Sequence, residues 1–283
     1  MSSSNRFVTD EIVGLDGGAI NFPHGFTSKG LAGNSVAVVT NYTELAAALT
    51  AASANDVIQL KRGTYTIPSK LTISKPVTLV GERPIGTSGV FITGTLATDV
   101  ILVDLTAASA TSEVVFENIT FTQLTADKNC VKIDNSVIVQ NLIVKFVNCS
   151  FVVTGAATSG NGLEVAHTAA GKPIQVYVLG SGIESLTNGK FTPGNAGDLL
   201  HLQNMNLAMS SGVASNLVFG NADKTFTSKI IGCKGTTGTV TSGGHASNVH
   251  FSIYSYTDNG SGTIAALVAG DLDASGTETV VGT

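Results

Sequence analysis

The chain has 283 residues, of which only 12% are charged and 32 are glycine, with a formal net charge of −5. That length buries a substantial core, as one large domain or two. The 15 Lys and Arg are scattered singly and form no basic stripe, which excludes a nucleic-acid-binding face, and no apolar run reaches the roughly 18 residues of a membrane span although mean hydropathy is +0.30.

Such a neutral surface, rich in Thr, Ser and Gly, suits a long-lived extracellular or virion particle better than a cytosolic metabolic enzyme. Met1 to Arg6 contains no apolar segment, so no signal peptide is expected. Cys130, Cys149 and Cys233 are odd in number and lack metal-type spacing, and they read as small buried hydrophobes.

Residues 1–36 are mixed and Gly-rich and read as an extended N-terminal arm, disordered unless tied down on a neighbour. Residues 41–54 form the strongest helix. Asn41 serves as N-cap, Glu44 stands three residues on for a capping box, and Tyr42, Leu45, Ala46 and Leu49 share a face. A lone amphipathic helix ahead of many strands suits a cap over the open end of a coil stack. Short strands follow at Val57 to Lys61, Thr64 to Ile67, Leu71 to Ile73 and Val77 to Gly81.

From Val114 to Phe151 one pattern occurs twice. Phe116-Glu117-Asn118-Ile119-Thr120-Phe121 and Phe146-Val147-Asn148-Cys149-Ser150-Phe151 share Phe, two residues, Asn, two residues, Phe, at an offset of 30. Phe91, Phe121 and Phe151 form a series at that offset and read as a core stack. Ile101 to Asp104, Val131 to Asp134 and Asn161 to Glu164 align at it too. A period in this range marks a repeat architecture, and period-two alternation inside it marks strands. Asn118, Asn148, Gly180, Asn204 and Gly232 fall at comparable points of successive coils. Leu186 to Gly197 is the most loop-like internal stretch. After Gly235 the Gly/Thr/Ser-rich text reads as a hairpin-rich tail, 236–283, and not as further coil.

The run Tyr42-Thr-Glu-Leu-Ala-Ala-Ala-Leu49, then Asp56 to Tyr65, then Leu71 to Gly81, resembles the opening of pectin-lyase-like right-handed parallel β-helices, and Phe-x-x-Asn-x-x-Phe resembles that superfamily's turn between two coil sheets. The likeness covers about residues 37–235. It implies an all-β, single-stranded right-handed parallel β-helix with an N-terminal capping helix and a β-rich tail. It leaves function open, because the fold carries lyases, hydrolases, phage tailspikes, adhesins and inert virion parts.

At the 30-residue offset Asp104, Asp134 and Glu164 share a rung position, with apolar neighbours alternating around them. With those neighbours inward, the three carboxylates form an outward column. Two of them on adjacent strands match a retaining glycosidase pair. Three suit calcium, and otherwise they are solvated and relieved by Lys132 and other cations. There is no Trp, and no Arg follows Arg83. His24, His167, His201, His245 and His250 are widely spread, and no nucleophile elbow or phosphate loop is present. No cofactor or metal is expected. The expectation is a non-enzymatic phage virion protein on the particle exterior, a capsid decoration or a fibre or spike component. It docks through 1–36 and 236–283 and assembles as a homo-oligomer, with three copies as the favoured number. The alternatives are a tailspike-like polysaccharide hydrolase or lyase using Asp104, Asp134 and Glu164, and a glycan-binding adhesin.

Overall fold

The structure is a computed structural model. It describes residues 36–281 except 83–88, 96–97, 106–111, 126, 135–140, 155–159, 168–171, 182–183, 193, 195–196, 208–214, 220–225, 232, 236–237, 243–248, 255–256 and 259–279, with side-chain surroundings as far as Met205 and at Cys233. All but the last residue of the expected arm, 1–36, lies outside the described residues.

Strand β1 (Val36–Val39) is followed by helix α1 (Tyr42–Ala51). A first coil has β2 (Val57–Leu60), β3 (Gly63–Ile67) and β4 (Leu71–Ile73). A second has β5 (Thr78–Gly81), β6 (Val90–Gly94) and β7 (Ile101–Val103). Two more follow: β8 (Ser112–Glu117), β9 (Ile119–Gln123) and β10 (Val131–Asp134), then β11 (Leu142–Val147), β12 (Ser150–Val153) and β13 (Leu163–Ala166). The next coil has β14 (Ile174–Leu179) and β15 (Gly189–Thr192), with only a bridge from Leu186 to Phe151 between them. Later coils contain β16 (Leu199–Gln203), β17 (Asn206–Leu207) and β18 (Ser215–Phe219), then β19 (Phe226–Ile231), β20 (Lys234–Gly235) and β21 (Gly238–Ser242). The described strands end with β22 (Val249–Tyr254), β23 (Thr257–Asp258) and β24 (Val280–Val281).

Equivalent strands stack into sheets. The long sheet is β1-β2-β5-β8-β11-β14-β16-β19-β22-β24, a seven-stranded sheet runs β4-β7-β10-β13-β15-β18-β21, and a four-stranded one holds β3-β6-β9-β12. A three-stranded sheet, β17-β20-β23, takes the corresponding chain position in the later coils. The ladders are parallel throughout. This is the expected parallel β-helix, in which each coil buries its apolar face and lends its edge to the next. The alternation of β8 shows why the strands form: Val114 and Phe116 point in and are fully buried, while Glu113, Val115 and Glu117 stay half-buried on the outer face.

Parallel stacking puts like on like. The Phe116 and Phe146 rings stack at 5.0 Å with 6° between planes, and Phe121 and Phe151 at 5.5 Å and 22°. Phe116 and Phe121 meet edge-on at 5.5 Å. Phe91 departs from the expected series. The β6–β9 register sets Ile92, not Phe91, opposite Phe121, so Ile92 takes the core position and Phe91 the half-buried outer one.

Asn118, Asn148 and Asn204 lie at the corner after the long-sheet strands β8, β11 and β16, at φ 58°, 51° and 52°. Asn tolerates this left-handed turn better than most residues. Its side chain also braces the corner: Asn148 Nδ2 donates to Asn118 Oδ1 at 3.4 Å. Gly180 holds the same corner for a different reason, since a Cβ there would lie 2.6 Å from the Asn204 carbonyl oxygen.

Helix α1 begins as expected and stops at Ala51, three residues before residue 54. Asn41 Oδ1 accepts from Glu44 N at 3.0 Å. Glu44 Oε2 reaches past the cap residue to accept from Thr40 N at 2.7 Å, and this bond holds the Glu44 carboxyl below its ordinary range. Leu45, fully buried, anchors the helix to the core.

Two expectations are corrected. Leu186 to Gly197 is not simply a loop, because β15 pairs in parallel with β13 and β18. The described strands of 236–283 make no hairpin: β21 pairs with β18, β22 with β19, β23 with β20 and β24 with β22, each in parallel. The described strands of this stretch thus continue the parallel ladders, which take their hydrogen bonds from the backbone and tolerate weak side-chain patterning.

Replacing Asn118 by Ala is expected to cost about 1–3 kcal/mol, with Gly restoring much of it, as read by urea unfolding. Burial pushes the Cys130 and Cys149 thiols from 9.0 up to about 12 and the Tyr65 hydroxyl from 10.0 up to about 12. The Tyr65 hydroxyl lies 2.7 Å from Val39 O and 2.9 Å from Lys61 O, and donates to these carbonyls. The fold holds each group neutral, so its contribution is complete below the unfolded pKa and is lost as pH rises through about 12. The urea midpoint should be flat near neutrality and fall above pH 9, and Tyr65→Phe should flatten the upper part of that fall.

Candidate functional site

The outer face of the seven-stranded sheet carries the carboxylates singled out by the repeat. Ile133 of β10 stands opposite Val103 of β7, so the next rung places Asp134 beside Asp104. Asp104 N also donates to Ile73 O at 2.9 Å, extending β7 along β4. Asp104 and Asp134 thus each follow the last paired residue of neighbouring strands.

Glu164 does not join them. In the β10–β13 register Lys132 lies opposite Glu164 and Asp134 opposite Ala166. The offset between these strands is 32 residues, because the segment between β12 and β13 is two residues longer than that between β9 and β10. A two-residue shift keeps Glu164 on the outer face, whereas a one-residue shift would have buried it.

The displaced carboxylate lands between cations. The column reads Lys132, Glu164, Lys190, and Lys190 Nζ lies 3.6 Å from Glu164 Oε1. Lys132 Nζ lies 3.3 Å from Asp134 Oδ2. Burial pulls the Lys132 ammonium down, but Glu164, Asp134 and Asp99 together outweigh it and set its pKa above the ordinary lysine value. Glu164 is further pinned by Asn129, whose Nδ2 donates to Oε2 at 2.6 Å.

Asn129 belongs to a ladder the sequence reading missed. Asp99 Oδ1 accepts from Asn129 N at 3.1 Å and Nδ2 at 2.9 Å, and Asn129 Oδ1 accepts from Asn161 N at 3.2 Å and Nδ2 at 2.9 Å. The recurrence of Asn at 129 and 161, offset 32, is the signal that would have corrected the register of Glu164. Among the described residues no group of three or more His, Cys, Asp or Glu is placed to hold a metal ion.

A second polar cluster lies inside the coil. The imidazole of His167, at the end of β13, hydrogen-bonds through Nδ1 to Asp198 Oδ2 at 2.8 Å, with both side chains buried. Asp198 also accepts from Ile174 N and Gly194 N, each at 2.8 Å. Nε2 of His167 finds no partner among the described residues. A cavity of ≈ 20 Å³ beside Asp198, lined by Val165, Val176, Phe191 and Leu200 among others, has room for about one water. The pair joins the corner after β13 to the corner before β16, 31 residues and one coil further on. The other widely spaced histidine in this part, His201, is half-buried on the outer face of the long sheet beside Tyr177, with ring centroids 5.9 Å apart.

No family model matches the chain, and no curated protein does. Among solved structures, pectin methylesterase from carrot is similar at a TM-score of 0.40 and 12% identity, covering 80% of this chain and 83% of that one. ORF18 of Geobacillus virus E2 is similar at 0.37 and 11%, covering 77% of this chain. This chain spans 56% of that viral protein. The class that the strand pairing defines is a parallel β-helix protein, and these likenesses add no activity to it.

Replacing Asp198 by Ala strands a buried imidazole and two backbone donors. The expected loss is on the order of 3 kcal/mol in urea unfolding, with Asp198→Asn milder. Lys190→Ala should cost less than about 1 kcal/mol, because that pair is half exposed.

Proposed function

We propose that the chain is a non-enzymatic structural component of a phage virion, a capsid decoration or a fibre or spike protein, that docks through its terminal segments and assembles with copies of itself. The observation that carries this reading is the outer ladder of the seven-stranded sheet. Its charged side chains are compensated along the stack as Lys132, Glu164 and Lys190, an arrangement that stiffens a shaft and aims no acid or base at a common point. The low charge and hydroxyl-rich composition agree with a surface built to persist outside a cell.

One observation favours a second reading. Asp104 and Asp134 each follow the last paired residue of adjacent strands, Val103 and Ile133, and a retaining polysaccharide hydrolase needs two neighbouring carboxylates.

The test is the solution mass of the chain, full-length and lacking residues 1–35, read beside electron microscopy of particles incubated with each. Discrete oligomers, three copies being the favoured number, that coat the particle and lose attachment with the arm support the structural reading. A free chain that depolymerises a polysaccharide, and stops doing so as Asp134→Asn, overturns it in favour of the hydrolase.

A further inference from the structure

One coil lacks the strand that its neighbours have. The four-stranded sheet ends at β12 and the three-stranded sheet starts at β17. Residues 180–188, between β14 and β15, cross that interval. As far as they are described, they pair there only through the bridge from Leu186 to Phe151. The β9–β12 ladder one coil earlier runs over four residues. Three hydrogen bonds fix the crossing segment to β12. Phe151 N donates to Ser185 O at 2.7 Å, Thr187 N to Phe151 O at 2.9 Å, and Ser185 N to Ser150 Oγ at 3.2 Å.

The same segment puts a carboxylate in the core. Counting back two residues from the bridge sets Glu184 opposite Cys149. At this corner other coils place Ile119, Cys149, Met205 and Cys233, all fully buried and uncharged. Glu184 is fully buried as well, and among the described residues no ion pair reaches it. Its oxygens accept from Ser181 N at 2.6 Å and Ser181 Oγ at 2.8 Å. Gly180 makes room for it, since a Cβ there would lie 2.9 Å from Glu184 Oε2. A buried carboxylate is costly unless a cation compensates it. Both of these hydrogen bonds come from within the segment itself. Lifting the segment therefore breaks neither and returns the carboxylate to water, whereas an apolar residue at the position would lose its burial.

We propose that residues 180–188 form a strap that lifts from the coil by itself, with Glu184 as the residue that favours the lifted state. The flanking ladders hold meanwhile, because β14 pairs with β11 and β16 and β15 pairs with β13 and β18. A segment with few ladder bonds opens below the free energy of global unfolding. Lifting uncovers the edge of β12 and the Cys149 side chain beneath Glu184. The strap stands apart from the virion reading, since it needs neither particle nor partner.

Cys130 is the internal reference. Its N donates to Asn161 O and its O accepts from Ile101 N, each at 3.0 Å, so it is bonded to the coils on both sides. Burial pushes both the Cys130 and the Cys149 thiol up to about 12, so neither reacts while packed.

The test is alkylation of the full chain by iodoacetamide under native conditions, with each site's rate read by mass spectrometry. Cys149 should react at least about tenfold faster than Cys130. Glu184→Met, which supplies an uncharged side chain of similar length, should bring Cys149 close to the Cys130 rate. Should that variant fail to fold, Ser181→Ala, at an exposed position, removes one bond to the closed carboxylate and should speed Cys149 while leaving Cys130 unchanged. Equal rates at Cys149 and Cys130 in the wild type overturn the inference. So does a Cys149 rate that Glu184→Met, or Ser181→Ala in its place, leaves unchanged.

Discussion

In a parallel stack every side chain is held against its counterpart one coil away, at a spacing the backbone hydrogen bonds set and no side chain can change. Most of this protein's features follow from that constraint. Apolar residues gain from it, because identical rings repeat their own shape: Phe116 on Phe146 is nearly coplanar. Asparagines gain as well, since each carries a donor and an acceptor that can serve the next in line, as in Asn129 and Asn161. Charges are the residues that lose. Identical charges repeated on one column would repel at about 5 Å along the whole rod.

The charged columns show how that repulsion is avoided. Lys132, Glu164 and Lys190 alternate in sign, and Glu113 sits within reach of Lys145. The two-residue lengthening between β12 and β13 places Glu164 in this sequence of signs and not over Asp134. A change of coil length can therefore tune electrostatics without touching the core, provided it keeps the parity of inside and outside.

Much of the architecture was legible because it depends on composition that repeats. The Phe and Asn positions gave the core stack and the corner, and Asn41 with Glu44 gave the helix start. What failed depended on counts of residues inside turns. Phe91 misses the stack because the offset from β6 to β9 is 29 residues and not 30, and Glu164 misses its column for the corresponding reason. No local pattern encodes such counts, because corner segments are free to differ in length. The parallel pairing of β21 to β24 was illegible for another reason: the Gly- and Thr-rich text resembles turns, while the ladder draws on backbone groups that every residue has. The His167–Asp198 pair was invisible because a single contact between unlike residues leaves no period. Of the candidate site, the outward placing of its carboxylates was legible and the register of Glu164 was not.

Helix α1 adds a polarity that the strands lack. It follows β1 in the chain and closes over the first coil, with Leu45 set into the core as a plug. The stack beyond it is built one coil at a time. Duplication of a unit of about 30 residues would extend it by one strand spacing and leave the start intact. Length in such a molecule is then an inheritable dimension, adjustable in steps of about 4.8 Å, and the helix is the fixed zero from which it is measured.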